Sequence, residues 1–307
     1  MSITTKLKQL LGGVSSDALS PVAAEKSGYS RLSPADLING DRIDIENKIA
    51  GRCYSSYLGD YTALCRVLGQ YMVFVDTRDV GFATHLLMRG IWEMGLTQFI
   101  TRTVKPGMRV ADIGANFGYY SLLMSDLVGP GGYCYAFEPN PRAAGLLQQS
   151  LSVNGFDSRS SVKQIALAEH SGDDSTFYVP RAEPKNARFV ADVTDELLTK
   201  GDVIAVRTQS FSDVAKEMGA IDFVKLDVEG AEFVIMQGMM DFIRAQKPQI
   251  VAEINFGRGY NPTPMLVELA AIYGSIRYVH DDGHVYSTTV ETLSSENVGS
   301  DWMVYLA

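Results

Sequence analysis

Short runs in which nearly every residue is apolar recur through the last two thirds of the chain and constrain its fold most. They are Arg109–Ile113, Tyr133–Phe137, Phe223–Leu226 and Ile250–Ile254. Segments with a helical spacing of apolar residues, such as Tyr119–Val128, separate the first two runs. Strands that are apolar on both faces need helices above and below, which is the arrangement of a parallel sheet. The pattern therefore predicts an α/β domain with a doubly wound, mostly parallel sheet over residues 105–307.

Residues 1–104 follow a different pattern and are predicted to form a mainly helical arm or cap. A loose linker is predicted over Gly12–Pro34, which is rich in Ser, Gly and Ala. A helix is predicted to begin at Ser33-Pro34. A second helix is predicted through Ile45, Ile49 and Cys53, and a third through Tyr61, Leu64, Val67 and Leu68. The remaining predicted elements are a strand at Tyr71–Val75 and helices at Phe82–Met88 and Trp92–Val104. An arm of this length could pack on a second subunit, which leaves homo-oligomer formation open.

Composition excludes several classes of function. The chain has 36 acidic and 27 basic residues and a net charge of -9, so it repels phosphate backbones and no nucleic-acid partner is expected.

The chain has three cysteines, Cys53, Cys65 and Cys134. Their number is odd and they form no C-x-x-C pair, which is typical of reduced thiols in the cytoplasm. No stretch approaches the roughly 18 consecutive apolar residues of a membrane-spanning helix. We therefore expect a cytoplasmic protein without a transmembrane segment.

A glycine-containing loop follows the first apolar run and carries the pattern D-x-G-x-N-x-G, formed by Asp112, Gly114, Asn116 and Gly118. In an open parallel sheet, ligands bind beyond the carboxyl ends of the strands. A dinucleotide-binding loop needs a central glycine to admit a pyrophosphate, and here that position is Asn116. A ligand with an ammonium and a carboxylate suits the loop better, because Asp112 can accept from a cation and backbone amides can meet the carboxylate. S-adenosylmethionine is such a ligand.

The second apolar run ends in Glu138-Pro139, twenty residues after the glycine loop. One carboxylate at this position can accept hydrogen bonds from both hydroxyls of a ribose. The prolines at 139 and 141 end the strand sharply and leave Glu138 at its tip. We therefore predict that Glu138 and Pro139 belong to the cofactor site.

Three acids, Asp227, Glu229 and Glu232, fall within six residues at the end of the third apolar run. Acids so close together repel one another unless they face cations, water or a shared proton. The dipole of the following helix accounts for Glu232 but not for Asp227, which lies at the strand terminus. Lys225 is expected to pair with one of these acids. The segment is therefore a candidate site, with Asp227 at its centre.

Together, the segments ADIGANFGYYS, FEPNP and VKLDVEGAE and a final DWMVYLA strand resemble the FkbM family of class I S-adenosylmethionine-dependent methyltransferases. The resemblance covers residues 92–307. It implies a Rossmann-like sheet of seven strands, mostly parallel, with an antiparallel last strand. It also implies that a methyl group is transferred to a hydroxyl of a sugar or a secondary metabolite. The acceptor would thus be a small molecule or a glycan.

The resemblance also assigns residues to parts of the cofactor. It implies Gly114, Asn116 and Gly118 at the methionine moiety, Glu138 at the ribose, Ala166 and Leu167 at the adenine, and Asp227 facing the transferred methyl. One departure is the segment Thr208-Gln209-Ser210-Phe211, where the family commonly has an Asp after a Thr-Leu pair. The role of that acid in this chain is therefore in doubt.

An alcohol that accepts a methyl group has to lose its proton, so a base within hydrogen-bond reach is expected. The candidates for this catalytic role are Asp227, Glu229 and Glu253, the last at the end of the fourth apolar run. The same three acids could instead hold Mg²⁺, which prefers oxygen ligands and would polarise a diol. We predict catalysis without a metal and keep Mg²⁺ as the alternative.

Two other functions remain open at this point. A nicotinamide-dependent oxidoreductase would share the sheet, but the central glycine and a Tyr-x-x-x-Lys pair are both missing. A non-catalytic partner protein could keep the fold and lose the cofactor, but the intact glycine loop argues against such a loss.

Overall fold

The computed structural model describes residues 30–228, 230–296 and 299–307. Its strands are, in chain order, β1 (Ser55–Gly59), β2 (Thr62–Val67), β3 (Tyr71–Asp76), β4 (Arg109–Ile113), β5 (Tyr133–Phe137), β6 (Ser160–Lys163), β7 (Ala166–Ala168), β8 (Asp174–Pro180), β9 (Arg188–Val190), β10 (Gly201–Ser210), β11 (Phe223–Leu226), β12 (Gln249–Ile254), β13 (Ile276–Val279), β14 (Val285–Thr288) and β15 (Trp302–Leu306). The four apolar runs of the sequence are therefore confirmed as strands.

The α-helices are, in chain order, α1 (Arg42–Ala50), α2 (Phe82–Arg89), α3 (Met94–Thr103), α4 (Tyr119–Leu127), α5 (Pro141–Val153), α6 (Asp195–Lys200), α7 (Phe211–Ala215), α8 (Glu232–Gln246), α9 (Thr263–Tyr273) and α10 (Val290–Ser295). Short 3₁₀ helices lie at Pro34–Leu37 and Pro184–Asn186. None of the helices in the described ranges has the length and apolarity needed to cross a membrane.

The largest sheet has eight strands in the order β14-β13-β15-β12-β11-β4-β5-β6. Strands β6, β5, β4, β11 and β12 are parallel, and β15 is antiparallel to both β12 and β13. The α/β class and the antiparallel last strand are thus as predicted. The expected number of seven strands is wrong, because the chain turns back after β13 and adds β14 at the edge as a hairpin.

Strands β1, β2 and β3 form a separate antiparallel sheet within the predicted helical arm. The helix predicted through Tyr61, Leu64, Val67 and Leu68 is therefore wrong. Residues Thr62–Val67 alternate between half-buried and buried positions, which is the period of a strand. Asp60 and Tyr61 both have positive φ, as in the tight turns that join antiparallel strands.

Three of the other helices predicted in the first 104 residues are confirmed as α1, α2 and α3. The helix predicted at Ser33-Pro34 is a short 3₁₀ helix, Pro34–Leu37. The linker prediction over Gly12–Pro34 lies mostly outside the described residues. Contacts group Leu32–Ala307 into one compact unit. The boundary between residues 104 and 105, and a homo-oligomer formed through the arm, stay predictions.

Apolar residues form one cluster on each face of the main sheet. Successive residues of β4 alternate between them, with Val110 in the first cluster and Ala111 and Ile113 in the second. The first cluster also contains Leu37 and Ile49 from the N-terminal segment. The N-terminal helices therefore share a core with the sheet, and Phe82 of α2 and the segment before α3 lie at the carboxyl edge of the strands.

Candidate active site

A cavity of about 380 Å³ lies at the carboxyl edge of the main sheet, where β4, β5, β11 and β12 are neighbours. This edge is where ligands bind in open parallel sheets. Its lining includes a group of apolar, mainly aromatic residues, called here the aromatic wall: Phe82, Trp92, Phe117, Phe177 and Pro184. It also includes a group of five acids and three bases, called here the charged wall: Glu93, Glu138, Asp227, Glu253 and Asp301, with Lys185, Lys225 and Arg258. The cavity can therefore hold a ligand with one carbon-rich side and several polar groups.

Gly114 allows the loop after β4 to approach β11. Its φ is +80°, and a Cβ atom at this position would overlap the backbone carbonyl oxygen of Asp227. The amides of Gly114 and Ala115 both donate to the carbonyl oxygen of Phe137 at the end of β5. No other residue type would permit this close approach without displacing the backbone.

Asn116 lies in the wall of the cavity with an amide oxygen that has no partner. The residue has a φ of +49°, a conformation that Asn tolerates better than most residues. Its backbone amide donates to Glu138 Oε2 at 2.8 Å. Its Oδ1 atom is buried and accepts no hydrogen bond. A buried polar atom without a partner is costly, so this oxygen is suited to a hydrogen-bond donor of a ligand.

Gly118 has a different structural role and does not line the cavity. Its φ is +97°, and a Cβ atom there would overlap the side chain of Leu147 on α5. It is the residue before α4, and its amide donates to the carbonyl oxygen of Ala115. The packing of α4 against α5 therefore explains this glycine.

Asp112 and Lys225 are cross-strand neighbours on β4 and β11 and form a buried ion pair at 3.6 Å. Ser121 donates to Asp112 Oδ2 at 2.6 Å. Burial raises the pKa of Asp112, and the nearby Lys225 ammonium opposes that shift. Asp112 does not line the cavity. The cation that Asp112 meets is therefore a side chain of the protein, not a group of a ligand as the sequence suggested.

Lys225 is 3% exposed and also pairs with Asp227, at 3.1 Å from Nζ to Oδ2. Its Nζ lies 5.1 Å from the centre of the Tyr120 ring. Burial lowers the pKa of Lys225, but Asp227 and Asp112 outweigh burial and raise it. The predicted pairing of Lys225 with a neighbouring acid is confirmed, and Asp227 enters the cavity as a carboxylate held by a cation.

Glu138 is 8% exposed and follows β5, where it lines the cavity beside Pro139. Its Oε2 accepts from the amide of Asn116, and its Oε1 accepts from the amide of Asn140 at 2.9 Å. Burial raises the pKa of Glu138 to about 7, although both amides lower it. Each carboxylate oxygen keeps a further lone pair, so Glu138 can accept two more hydrogen bonds from a ligand.

Arg258 joins three acids at the far end of the charged wall. It lies 3.0 Å from Glu232, 2.8 Å from Glu253 and 3.3 Å from Asp301. Burial raises the pKa of Glu253 to about 9; the charge of Asp227 adds to this shift, and Arg258 opposes it. Glu253 is thus a buried acid bound to a cation, a poor arrangement for accepting a proton from a substrate.

Glu93 lies in the cavity wall between Trp92 and the first residue of α3. Its Oε2 accepts a hydrogen bond from the hydroxyl of Tyr120 at 2.9 Å. Its backbone is left-handed, with φ +37° and ψ +69°. The sequence gives no signal for this residue, because a lone acid before a helix is typical of an ordinary N-terminal charge.

The Methyltransferase FkbM domain matches residues 112–281, more than half of the 307 residues. The chain belongs to the FkbM methyltransferase family. It is 29% identical over 177 residues to "31-O-demethyl-FK506 methyltransferase FkbM" from Streptomyces tacrolimicus, which covers 50% of this chain and 67% of the relative. It is 30% identical over 157 residues to "Methyltransferase sdnD" from Sordaria araneosa, which covers 42% of this chain and 60% of that relative.

Among solved structures, methyltransferase FkbM from Methylobacillus flagellatus KT aligns over 70% of this chain and 53% of its own, with 14% identity and a TM-score of 0.39. A SAM-dependent O-methyltransferase from Thermotoga maritima aligns over 67% of this chain and 61% of its own, with 15% identity and a TM-score of 0.36.

The cavity of this FkbM-family methyltransferase takes residues from inside and outside the matched domain. Gly114, Asn116, Glu138 and Asp227 lie within residues 112–281. Trp92 and Glu93 precede that range, and Asp301 follows it. The N-terminal segment therefore supplies part of the site.

Ala166 and Leu167 do not line this cavity. They are buried in β7, which pairs with β10 in a separate four-stranded sheet. Their contact with an adenine stays a prediction. Glu229, the second candidate base, lies outside the described residues.

No group of three or more His, Cys, Asp or Glu side chains is arranged to hold a metal ion within the parts of the chain that the structure describes. Asp227 and Glu253 are paired with Lys225 and Arg258, which occupy the positions that a cation would take. These two carboxylates therefore do not fit the magnesium site that was kept as an alternative.

Proposed function

We propose that this FkbM-family methyltransferase uses S-adenosylmethionine to methylate a hydroxyl group of a small-molecule or glycan acceptor, such as a sugar or a secondary metabolite. The observation that carries the proposal is the pair formed by Asn116 and Glu138. Both residues line one cavity and a backbone hydrogen bond of 2.8 Å holds them together; Glu138 keeps free lone pairs, and Asn116 Oδ1 is buried without a partner.

The acceptors suit the two polar ends of S-adenosylmethionine. The unpartnered Oδ1 of Asn116 can accept from the ammonium of a methionine moiety. The carboxylate of Glu138 can accept from the two hydroxyls of a ribose. The loop at Gly114 and the end of β5 keep these two acceptors in a constant geometry, because backbone hydrogen bonds join them.

The loop after β4 also disfavours a dinucleotide. Asn116 stands where a dinucleotide-binding loop needs a central glycine to admit a pyrophosphate, which argues against a nicotinamide dinucleotide. When bound, S-adenosylmethionine supplies a methyl group that is activated by a positively charged sulfur. The residues of the cavity then bind and orient the reactants, which accounts for most of the rate enhancement in such a displacement.

The aromatic wall supports an acceptor with a carbon-rich face. Trp92 is half-buried and contacts Phe82 edge to face, with ring centres 5.0 Å apart. Lys185 lies over Trp92 at 5.8 Å from its ring. A sugar ring or a polyketide can lie against such a surface and direct a hydroxyl towards the charged wall. We infer from this arrangement that the acceptor enters beside Trp92.

The deciding experiment is isothermal titration calorimetry with S-adenosylhomocysteine and, separately, with NAD. We expect micromolar binding of S-adenosylhomocysteine and none of NAD. Binding of NAD alone would favour the oxidoreductase, and binding of neither would favour a non-catalytic protein. A screen of sugar and polyketide alcohols with methyl-labelled S-adenosylmethionine then identifies the acceptor; transfer to amines only would contradict O-methylation.

A further inference from the structure

We propose that Glu93, together with the Tyr120 hydroxyl that binds it, is the general base that removes the proton of the acceptor hydroxyl. The inference rests on the proposed function and adds a catalytic residue from outside the matched FkbM domain. It replaces Asp227 and Glu253 in that role.

The acids of the cavity differ in what already binds them. Asp227 is held by Lys225, and Glu253 and Asp301 are held by Arg258. Glu138 accepts from two backbone amides. A carboxylate that takes a proton weakens its contacts with a cation or with amide donors, so each of these acids would lose existing interactions by acting as the base.

Glu93 has a different partner. Among the described acids of the cavity wall, it is the one whose hydrogen bond comes from a neutral hydroxyl, that of Tyr120 at 2.9 Å. A neutral donor stabilises a carboxylate less than an ammonium or guanidinium does. One carboxylate oxygen contacts Tyr120 and the other is left to take a proton. Glu93 can therefore take a proton without breaking a direct hydrogen bond to a charged group.

The backbone of Glu93 supports a functional role. A non-glycine residue in the left-handed region is strained, and such strain is concentrated at functional sites. The side chain does not relieve the strain by capping α3, since it makes no hydrogen bond to the helix. It reaches instead to Tyr120 on α4. The strained backbone thus directs the carboxylate into the cavity.

The position of Glu93 also matches the path of the acceptor. Glu93 directly follows Trp92, and both residues line the cavity. A ring that lies against Trp92 brings its hydroxyl groups to the adjacent carboxylate. The residue that holds the carbon skeleton and the residue that takes the proton would then be consecutive in the chain.

The electrostatic surroundings suit proton transfer near neutral pH. Burial raises the pKa of Glu93 to about 7, and the charges of Asp227 and Asp301 add to that shift. The Tyr120 hydrogen bond and the Lys225 ammonium oppose it. Tyr119 on α4 also faces Glu93, and Glu253 and Arg258 line the same cavity. Because Glu93 is exposed to the cavity, solvent weakens these effects, but a base with a pKa near the working pH is efficient.

Glu93 takes the proton of the acceptor hydroxyl while the oxygen forms a bond to the methyl carbon. The bond between that carbon and the sulfonium breaks, and its electron pair stays on sulfur. The products are a methyl ether, S-adenosylhomocysteine and a protonated Glu93, which then releases its proton to solvent.

The first test compares Glu93→Gln with the wild-type protein. We expect kcat on the acceptor found in the screen to fall about 10²- to 10⁴-fold, the usual contribution of a general base. The Kd for S-adenosylhomocysteine should change less than threefold. Glu217→Gln, an exposed acid outside the cavity, is the matched control and should leave both values unchanged. Unchanged kcat in Glu93→Gln would overturn the proposal, as would a large loss of S-adenosylhomocysteine binding.

The second test needs no acceptor. Carboxyl ¹³C NMR of protein labelled at glutamate, titrated with pH in the presence of S-adenosylhomocysteine, should contain a resonance with a midpoint above the ordinary value of 4.5 that disappears in Glu93→Gln. In Tyr120→Phe the same midpoint should move up, because the Tyr120 hydrogen bond lowers the pKa of Glu93. A Glu93 midpoint near the ordinary value of 4.5, or no movement in Tyr120→Phe, would overturn the proposal. Failure of wild-type protein to bind S-adenosylhomocysteine would instead reject the proposed function.

Discussion

The two walls of the cavity differ in how the chain builds them. The wall around Gly114, Asn116 and Glu138 consists of residues just after β4 and β5, joined by backbone hydrogen bonds. Most of the aromatic wall comes from other parts of the chain: Phe82 of α2, Trp92 before α3, Phe177 of β8 and Pro184, with Phe117 from the loop after β4. Glu93 directly follows Trp92. The first wall depends on strand ends and the second on tertiary packing. We therefore expect changes in the first to alter cofactor binding and changes in the second to alter the acceptor reaction.

The largest effect is expected at Lys225, which lies between the two walls. Lys225→Met leaves Asp112 buried without a cation, and breaking a buried ion pair in this way costs about 3–5 kcal/mol of unfolding free energy. Denaturant unfolding measures this loss. Lys48→Met, an exposed lysine on α1, is the control and should not change the midpoint. A loss as small as that of the control would mean that Lys225 does not stabilise the strand ends.

The next effect concerns Glu138 and pH. Its pKa is about 7 in the folded protein against an ordinary value of 4.5, so the folded state binds more protons between these pH values. The contribution of Glu138 to the free energy of unfolding is largest below about pH 4.5. It falls by up to about 3 kcal/mol as the pH rises through 7. In Glu138→Gln, the slope of unfolding free energy against pH should become flatter over this range. Equal slopes in the two proteins would contradict the assignment.

The cofactor wall is tested by the same variant at constant pH. Glu138→Gln replaces one acceptor oxygen by a donor, and the loss of a charged hydrogen bond to a ribose, about 1.5–3 kcal/mol, weakens S-adenosylhomocysteine binding about 10- to 100-fold. Calorimetry measures the Kd, with Glu291→Gln as the exposed control. If Glu93→Gln weakened binding as much as Glu138→Gln, the two walls would not have separate roles.

The smallest effect is expected at the aromatic wall. Trp92→Ala removes the surface that we assign to the acceptor, so KM for the acceptor should rise about tenfold, a loss of roughly 1–2 kcal/mol. The Kd for S-adenosylhomocysteine should stay within threefold. Steady-state kinetics on the acceptor found in the screen measures KM. An unchanged KM together with weaker binding of S-adenosylhomocysteine would mean that Trp92 contacts the cofactor and not the acceptor.

Much of the cofactor wall could be predicted from sequence because its residues are local to strand ends. Arg109–Ile113 and Tyr133–Phe137 were recognised by their apolar residues, and both match β4 and β5. Glu138 follows directly from the end of such a strand. The match of the FkbM domain to residues 112–281 confirms the resemblance seen in these motifs.

The errors arose where local spacing allowed more than one structure. Tyr61, Leu64, Val67 and Leu68 have helical spacing, yet β2 forms because a tight turn at Asp60 and Tyr61 pairs it with β1. Asp112 was expected to meet a ligand, but β11 brings Lys225 against it. In both cases the strand paired with the segment decided its structure. That strand is β1 for β2, next to it in the chain, and β11 for β4, far from it in the chain.

The apolar runs and glycine loop of residues 105–307 were enough to predict a mostly parallel sheet and the edge where it binds a ligand, because parallel strands end on the same side whatever their partners are. The pairing of each acid was decided only when the chain folded. Lys225 and Arg258 neutralise Asp227 and Glu253, while Glu93, far away in the sequence, is brought beside Tyr120. Charges act through distance in space, and sequence separation carries no information about that distance.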